Sequence, residues 1–143
     1  MIHPIAWCAE PARDIIKTYT HPTMGAANTY GTPQPLYDQP YDADSDIQAK
    51  VATLESLLRV HPNHDANHIL QGITKPAHDN AHDYRTPFCW GIANPAQQNF
   101  LVFNTRERAK DYGDSTPFYS ITLHQYNTLL LLHHLIDKAS AST

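Results

Sequence analysis

The sequence predicts an α+β fold made of two pseudo-repeated units, each a set of short antiparallel strands with a helix and each followed by an amphipathic or apolar helix. Three observations carry that prediction. Pro4-Ile5-Ala6-Trp7 recurs as Pro87-Phe88-Cys89-Trp90. Tyr30-Gly31-Thr32-Pro33-Gln34-Pro35-Leu36-Tyr37 recurs as Tyr112-Gly113-Asp114-Ser115-Thr116-Pro117-Phe118-Tyr119. A stretch with helical spacing of apolar residues comes after each copy. The two offsets are 83 and 82 residues, as a duplicated unit with one single-residue slip would give.

The second copy has the cleaner pattern. Phe88 to Ile92 is a short apolar run suited to a strand, and Asn94-Pro95 supplies a turn signal. Phe100-Leu101-Val102-Phe103 predicts a second strand, a hairpin partner for the first. Asn104 or Thr105 caps a short helix, with Glu107 completing a capping box after Asn104, and Gly113 ends it in a left-handed conformation. Thr116 to Ile121 returns as a strand. In the first copy Ile15-Ile16 stands in the place of the second strand and His21-Pro22 interrupts the segment after it, which predicts a degraded or rearranged version. The two units either sit side by side or share one continuous sheet.

Ser45 with Gln48 makes a capping box, and Ile47, Val51, Leu54 and Leu58 recur at helical spacing, predicting an amphipathic helix over 46–60 that covers one sheet face. The last helix starts near Thr122 and carries Leu129, Leu130, Leu131, Leu132, Leu135 and Ile136 around most of its circumference. It is expected to lie between the two halves. The alternative is an exposed patch at Leu130 and Leu131 that binds a target or forms a homodimer. Residues 139–143 are expected to fray.

With 143 residues the chain is expected to form a single domain over 1–143, organised as a first unit 3–60, a histidine-rich connector 61–85 and a second unit 86–138. Apolar residues make up 41% and charged residues 17%, which excludes a disordered acidic tail. A net charge of −4 argues against a general nucleic-acid binder, which needs clustered Lys and Arg. Asp38, Asp42, Asp44 and Asp46 read as a solvated loop leading into a helix N-terminus. Cys8 and Cys89 are expected in the core as small hydrophobes. The opening Met1-Ile2-His3-Pro4 has no basic n-region and the longest apolar run, Leu129 to Leu132, is too short to span a bilayer. The expectation is a cytosolic protein with reduced thiols and no membrane partner.

The Pro-Ile-Ala-Trp segment at 4–7, closed by Pro35-Leu36-Tyr37, resembles small accessory proteins encoded by tailed phages and prophages. The resemblance spans 3–40 and, more weakly, 86–121, where Phe88-Cys89 and Phe118 replace the usual residues. It implies an origin in a mobile element and a place in the cytoplasm of a bacterial host. By analogy it implies a non-enzymatic binding protein that inhibits a host protein or protein complex, with a defence system such as CRISPR interference the favoured class of target.

Catalytic signals are weak. Ser56, Ser115 and Ser120 lack a Gly-x-Ser-x-Gly setting, and neither cysteine has basic neighbours that favour a thiolate. His21-x-Thr23 has no second His-x-(Thr/Ser) to make a two-histidine phosphoesterase. No enzyme activity and no cofactor are therefore expected. The connector holds the one pattern suited to a metal: His64-Asp65-Ala66-Asn67-His68 is echoed by His78-Asp79-Asn80-Ala81-His82. Carried on helices, each pair would place two imidazoles on one face, so His64, His68, His78 and His82 could close a tetrahedral zinc site. Pro62, Gly72 and Pro76 stand against it. Of His133 and His134, at most one can be buried with the leucines. Trp7, Trp90, Tyr30, Tyr37, Tyr112 and Tyr119 share repeat positions and are expected in the core. Tyr19, Tyr41, Tyr84 and Tyr126 lie outside those positions, and Tyr41, Tyr84 and Tyr126 join Leu130 and Leu131 as candidate partner-binding residues.

Overall fold

The order strand, strand, helix, strand, helix runs through the chain twice. A computed structural model describes residues 3–10, 18–73 and 83–141. The first half holds β1 (Ala6–Glu10), β2 (Thr18–Tyr19), α1 (Met24–Asn28), β3 (Thr32–Tyr37) and α2 (Ala43–Val60). After α3 (His64–Ile73), the second half holds β4 (Cys89–Asn94), β5 (Asn99–Phe103), α4 (Arg106–Lys110), β6 (Thr116–Ser120) and α5 (Leu123–Ala141). Two compact units result: the strands with α1 and α4 in residues 2–41 and 82–123, and the long helices in 42–81 and 124–143.

All six strands share one sheet, in the order β1-β3-β6-β4-β5-β2, with every pairing antiparallel. The halves have matching registers. Trp7 lies opposite Pro35 and Trp90 opposite Pro117. Ile5 N donates to Leu36 O at 2.8 Å, and Phe88 N to Phe118 O at 2.7 Å. The halves meet where Tyr37 faces Tyr119 across β3 and β6. Far from that seam β2 pairs with β5, and just past β2 a bridge joins Trp7 to His21 through two backbone hydrogen bonds of 2.9 and 2.7 Å. Its counterpart within the second half is the pairing of Trp90 with Phe103. Since β1 and β2 end the strand order, this bridge joins the two edges of the sheet.

Alternation along the strands sends Cys8, Leu36, Cys89, Val102 and Phe118 to one face, where with Phe88 they form a cluster buried from water. Burying each large member contributes roughly 1.5–3 kcal/mol. Both cysteines are buried, as their apolar settings predict. Phe100 packs edge-on against Phe118, with ring centroids 5.0 Å apart. That ring passes so close to Gly91 that a Cβ there would overlap it. At the counterpart positions the sizes are exchanged, with Cys8 in place of glycine and Leu36 in place of phenylalanine.

The first half is more regular than its sequence suggests. The second strand is Thr18–Tyr19, and Ile15-Ile16 lies outside the described residues. His21-Pro22 does not interrupt a helix; it precedes the cap of α1, whose Thr23 Oγ1 accepts from Ala26 N at 3.1 Å. Thr105 does the same for α4, accepting from Arg108 N at 3.3 Å. Ala27 and Ala109 are the buried residues of the two short helices. Gly113 has φ 136, in the region that favours glycine, whereas Gly31, at φ 159, borders ordinary extended backbone.

In the helical unit α2 begins at Ala43, three residues ahead of the predicted start. The cap is Asp42: its Oδ1 accepts from Ser45 N at 3.1 Å and its Oδ2 from Ser45 Oγ at 2.8 Å. A carboxylate is favoured there because it also faces the positive end of the helix dipole. The apolar stripe packs on other helices. Leu54 and Leu58 meet Ala66 and Leu70 of α3 and Leu132 and Leu135 of α5, so the long helices build a core of their own. The helical pattern of α5 runs on to Ala141, past the expected fraying point. No described helix is long and apolar enough to cross a membrane.

Candidate functional site

A helix turns about 100° per residue, so six apolar residues crowded near the middle of α5 cannot all face one core. Leu129, Leu132 and Leu135 take the inward positions and are buried. Leu130 and Leu131 are left 38% and 37% exposed. The stripe at three- and four-residue spacing fills the core and the two leucines between its members do not. His133 and His134 are also exposed, and His133 Nε2 lies 3.4 Å from Asp137 Oδ2 one turn on. Near its start α5 is tied to α2 by Gln125 Nε2 donating to Asp44 Oδ1 at 3.0 Å.

The candidate tyrosines separate. Tyr126, on α5, is half-buried, and burial pushes its phenol pKa above the ordinary value of 10.0. Tyr84 is half-buried with the Arg85 guanidinium 5.5 Å from its ring. Tyr41 is not a surface residue: it is 5% exposed and packs edge-on against the buried Tyr37, with centroids 5.1 Å apart. Apolar packing holds it in the core although it lies outside the repeated segments.

Two repeat-position tyrosines expected in the core are on the surface instead. Tyr30 is 70% and Tyr112 51% exposed. Each closes a short helix, with its N–H donating to Ala27 O or Ala109 O at 3.0 Å, so each sits beyond the strand and escapes its inward alternation. Tyr30 stacks on His21 and Tyr112 packs tilted against Phe103, both with centroids 5.0 Å apart. Tyr19 and Met24 are exposed in the same half as Tyr30. The sequence does carry a signal for this: a Tyr-Gly pair directly after a helix marks a turn, where a ring has no sheet face to fill. Trp7 is buried as expected, whereas Trp90 is only half-buried, under the Arg106 guanidinium 5.6 Å from its ring.

For the histidine motif, α3 carries His64 and His68 one turn apart, both exposed. Asn63 Oδ1 accepts from Ala66 N at 3.0 Å and so satisfies a free N–H of the helix start. His78 and His82 lie outside the described residues. Among the described residues no three His, Cys, Asp or Glu side chains gather as a metal site would require. Two imidazoles alone leave a tetrahedral zinc two ligands short.

No protein-family model, curated protein or solved structure matches the chain. Chemically, the described surface offers apolar and aromatic side chains held on rigid elements, the material of protein–protein hot spots.

Proposed function

We propose that this is a phage-encoded, non-enzymatic binding protein that acts in the cytoplasm of a bacterial host by blocking a host protein, with a defence system such as CRISPR interference the favoured target. One observation carries the binding role: Leu130 and Leu131 stand exposed on a helix whose neighbouring leucines are fixed in a core. Such a pair presents apolar surface without the ordering entropy a mobile segment would lose on docking. The phage origin and the class of target come from the resemblance of residues 3–40. The test is to express the chain in a bacterium with an active defence system and challenge it with a phage that the system restricts. Restored plating supports the reading; unchanged restriction across several defence types counts against it.

A second reading, a metal-binding module, is favoured by the exposed His64–His68 pair on α3. Stoichiometric zinc or nickel in protein purified without a histidine tag would select it over the first.

A further inference from the structure

His133 and Asp137 stand one turn apart on α5, the spacing that brings two side chains of a helix to the same face. Leu132 and Leu135 hold that helix in its core, while the side chains of the pair are 57% and 68% exposed. Their Nε2 and Oδ2 atoms are 3.4 Å apart. A charge-assisted hydrogen bond would close to about 2.7–2.9 Å. Two ligands of a tetrahedral zinc, each about 2.0–2.2 Å from the metal, keep about 3.3–3.5 Å between them. The pair therefore has the spacing of two donors to one shared cation.

We propose that His133 and Asp137 form a two-ligand site for zinc, with water in the two remaining positions. Donor chemistry and spacing together select the metal. An imidazole nitrogen beside a carboxylate oxygen suits zinc, whereas magnesium and calcium take oxygen ligands. The right angle of a square-planar copper(II) or nickel(II) site would bring the donors to about 3 Å. The pair also lies toward the C-terminal end of α5, where the helix dipole is negative and favours a cation. His134 and Lys138, each the next residue along the chain, lie about 100° round the helix from it. Two protein ligands are fewer than a structural zinc site has, so the metal is held weakly and exchanges. The site is distinct from the His64–His68 pair of α3 and does not depend on it.

The test is a zinc titration of the full chain, purified without a histidine tag, with the histidine ring signals followed by NMR. It is run above neutral pH, since only a neutral imidazole binds metal. The internal reference is His124, exposed on the same helix with Asn127 and Thr128, not a carboxylate, one turn on. The expected result is a saturable shift of the His133 ring with zinc, stronger than that of His124 and absent with magnesium. Asp137→Asn should raise the Kd read at that ring at least about tenfold, with the melting temperature of the zinc-free variant unchanged. His64→Ala should leave the His133 response as it is, so the α3 reading can fail without this one. A His133 ring that responds no more strongly than His124, that responds equally in Asp137→Asn, that follows magnesium, or that loses its response in His64→Ala overturns the proposal.

Discussion

At the scale of single residues, Gly91 shows how one missing Cβ shapes the strand unit. The Phe118 ring occupies the space a side chain at 91 would need, and Phe100 braces that ring from its edge. Gly91→Ala should therefore destabilise by about 1–3 kcal/mol through overpacking, in contrast to the ordinary small gain in strand preference. Phe118→Leu in the same chain should recover part of the loss, because it recreates the pairing of a small side chain with leucine found at Cys8 and Leu36. Chemical denaturation of both single variants and the double variant measures this coupling. Purely additive losses would show that the ring is not what excludes the side chain. Legibility at this scale is uneven. The burial of the cysteines and Trp7 can be read from apolar context, whereas that of Tyr41 cannot, because it is buried by Tyr37 and not by any periodic pattern.

The elements are legible wherever local chemistry decides them. The repeated strands follow from Pro-x-x-Trp and Pro-(Leu/Phe)-Tyr, and α4 from its threonine cap. Thr105→Ala should cost about 1 kcal/mol by removing the acceptor for Arg108 N, measured as a shift in denaturation midpoint. An unchanged midpoint would mean that water replaces the cap. Gly113→Val should destabilise by roughly 1–3 kcal/mol because φ 136 disfavours a β-branched residue, whereas Gly72→Val, with open space around it on α3, should leave the melting temperature nearly unchanged. Equal melting temperatures would remove the backbone argument. The features hidden from the sequence depend on contacts between distant segments. A two-residue β2 has no periodicity to detect, and its strand status comes from pairing with β5 and from Thr20, whose N–H donates to Phe100 O while its Oγ1 accepts from Phe100 N, both at 2.9 Å. Likewise α2 and α5 have apolar stripes that fit a sheet or another helix equally well. Only the assembled chain shows the stripes meeting each other and α3.

At the scale of the whole molecule, the strand unit and the helical unit solve the same problem separately: each buries its own apolar face and leaves a few large side chains in water. In the strand unit these are Ile5, Tyr19, Met24, Tyr30 and Tyr112, and in the helical unit Val60, Ile69, Leu130 and Leu131. The sequence points to Leu130 and Leu131 through simple geometry, since adjacent leucines cannot share a core face. It hides Tyr30 and Tyr112 because repetition suggests shared burial, when the repeated feature is a turn at the surface. The function proposed for the molecule depends on docking a protein partner on the outer leucines of α5. Affinity capture from a bacterial lysate tests this with the wild type, Leu130→Asp and Leu131→Asp, each checked for an unchanged melting temperature. The expected result is one stoichiometric partner retained by the wild type and lost by at least one folded variant. A wild type that retains no stoichiometric partner, or a partner held equally by both folded variants, would contradict it.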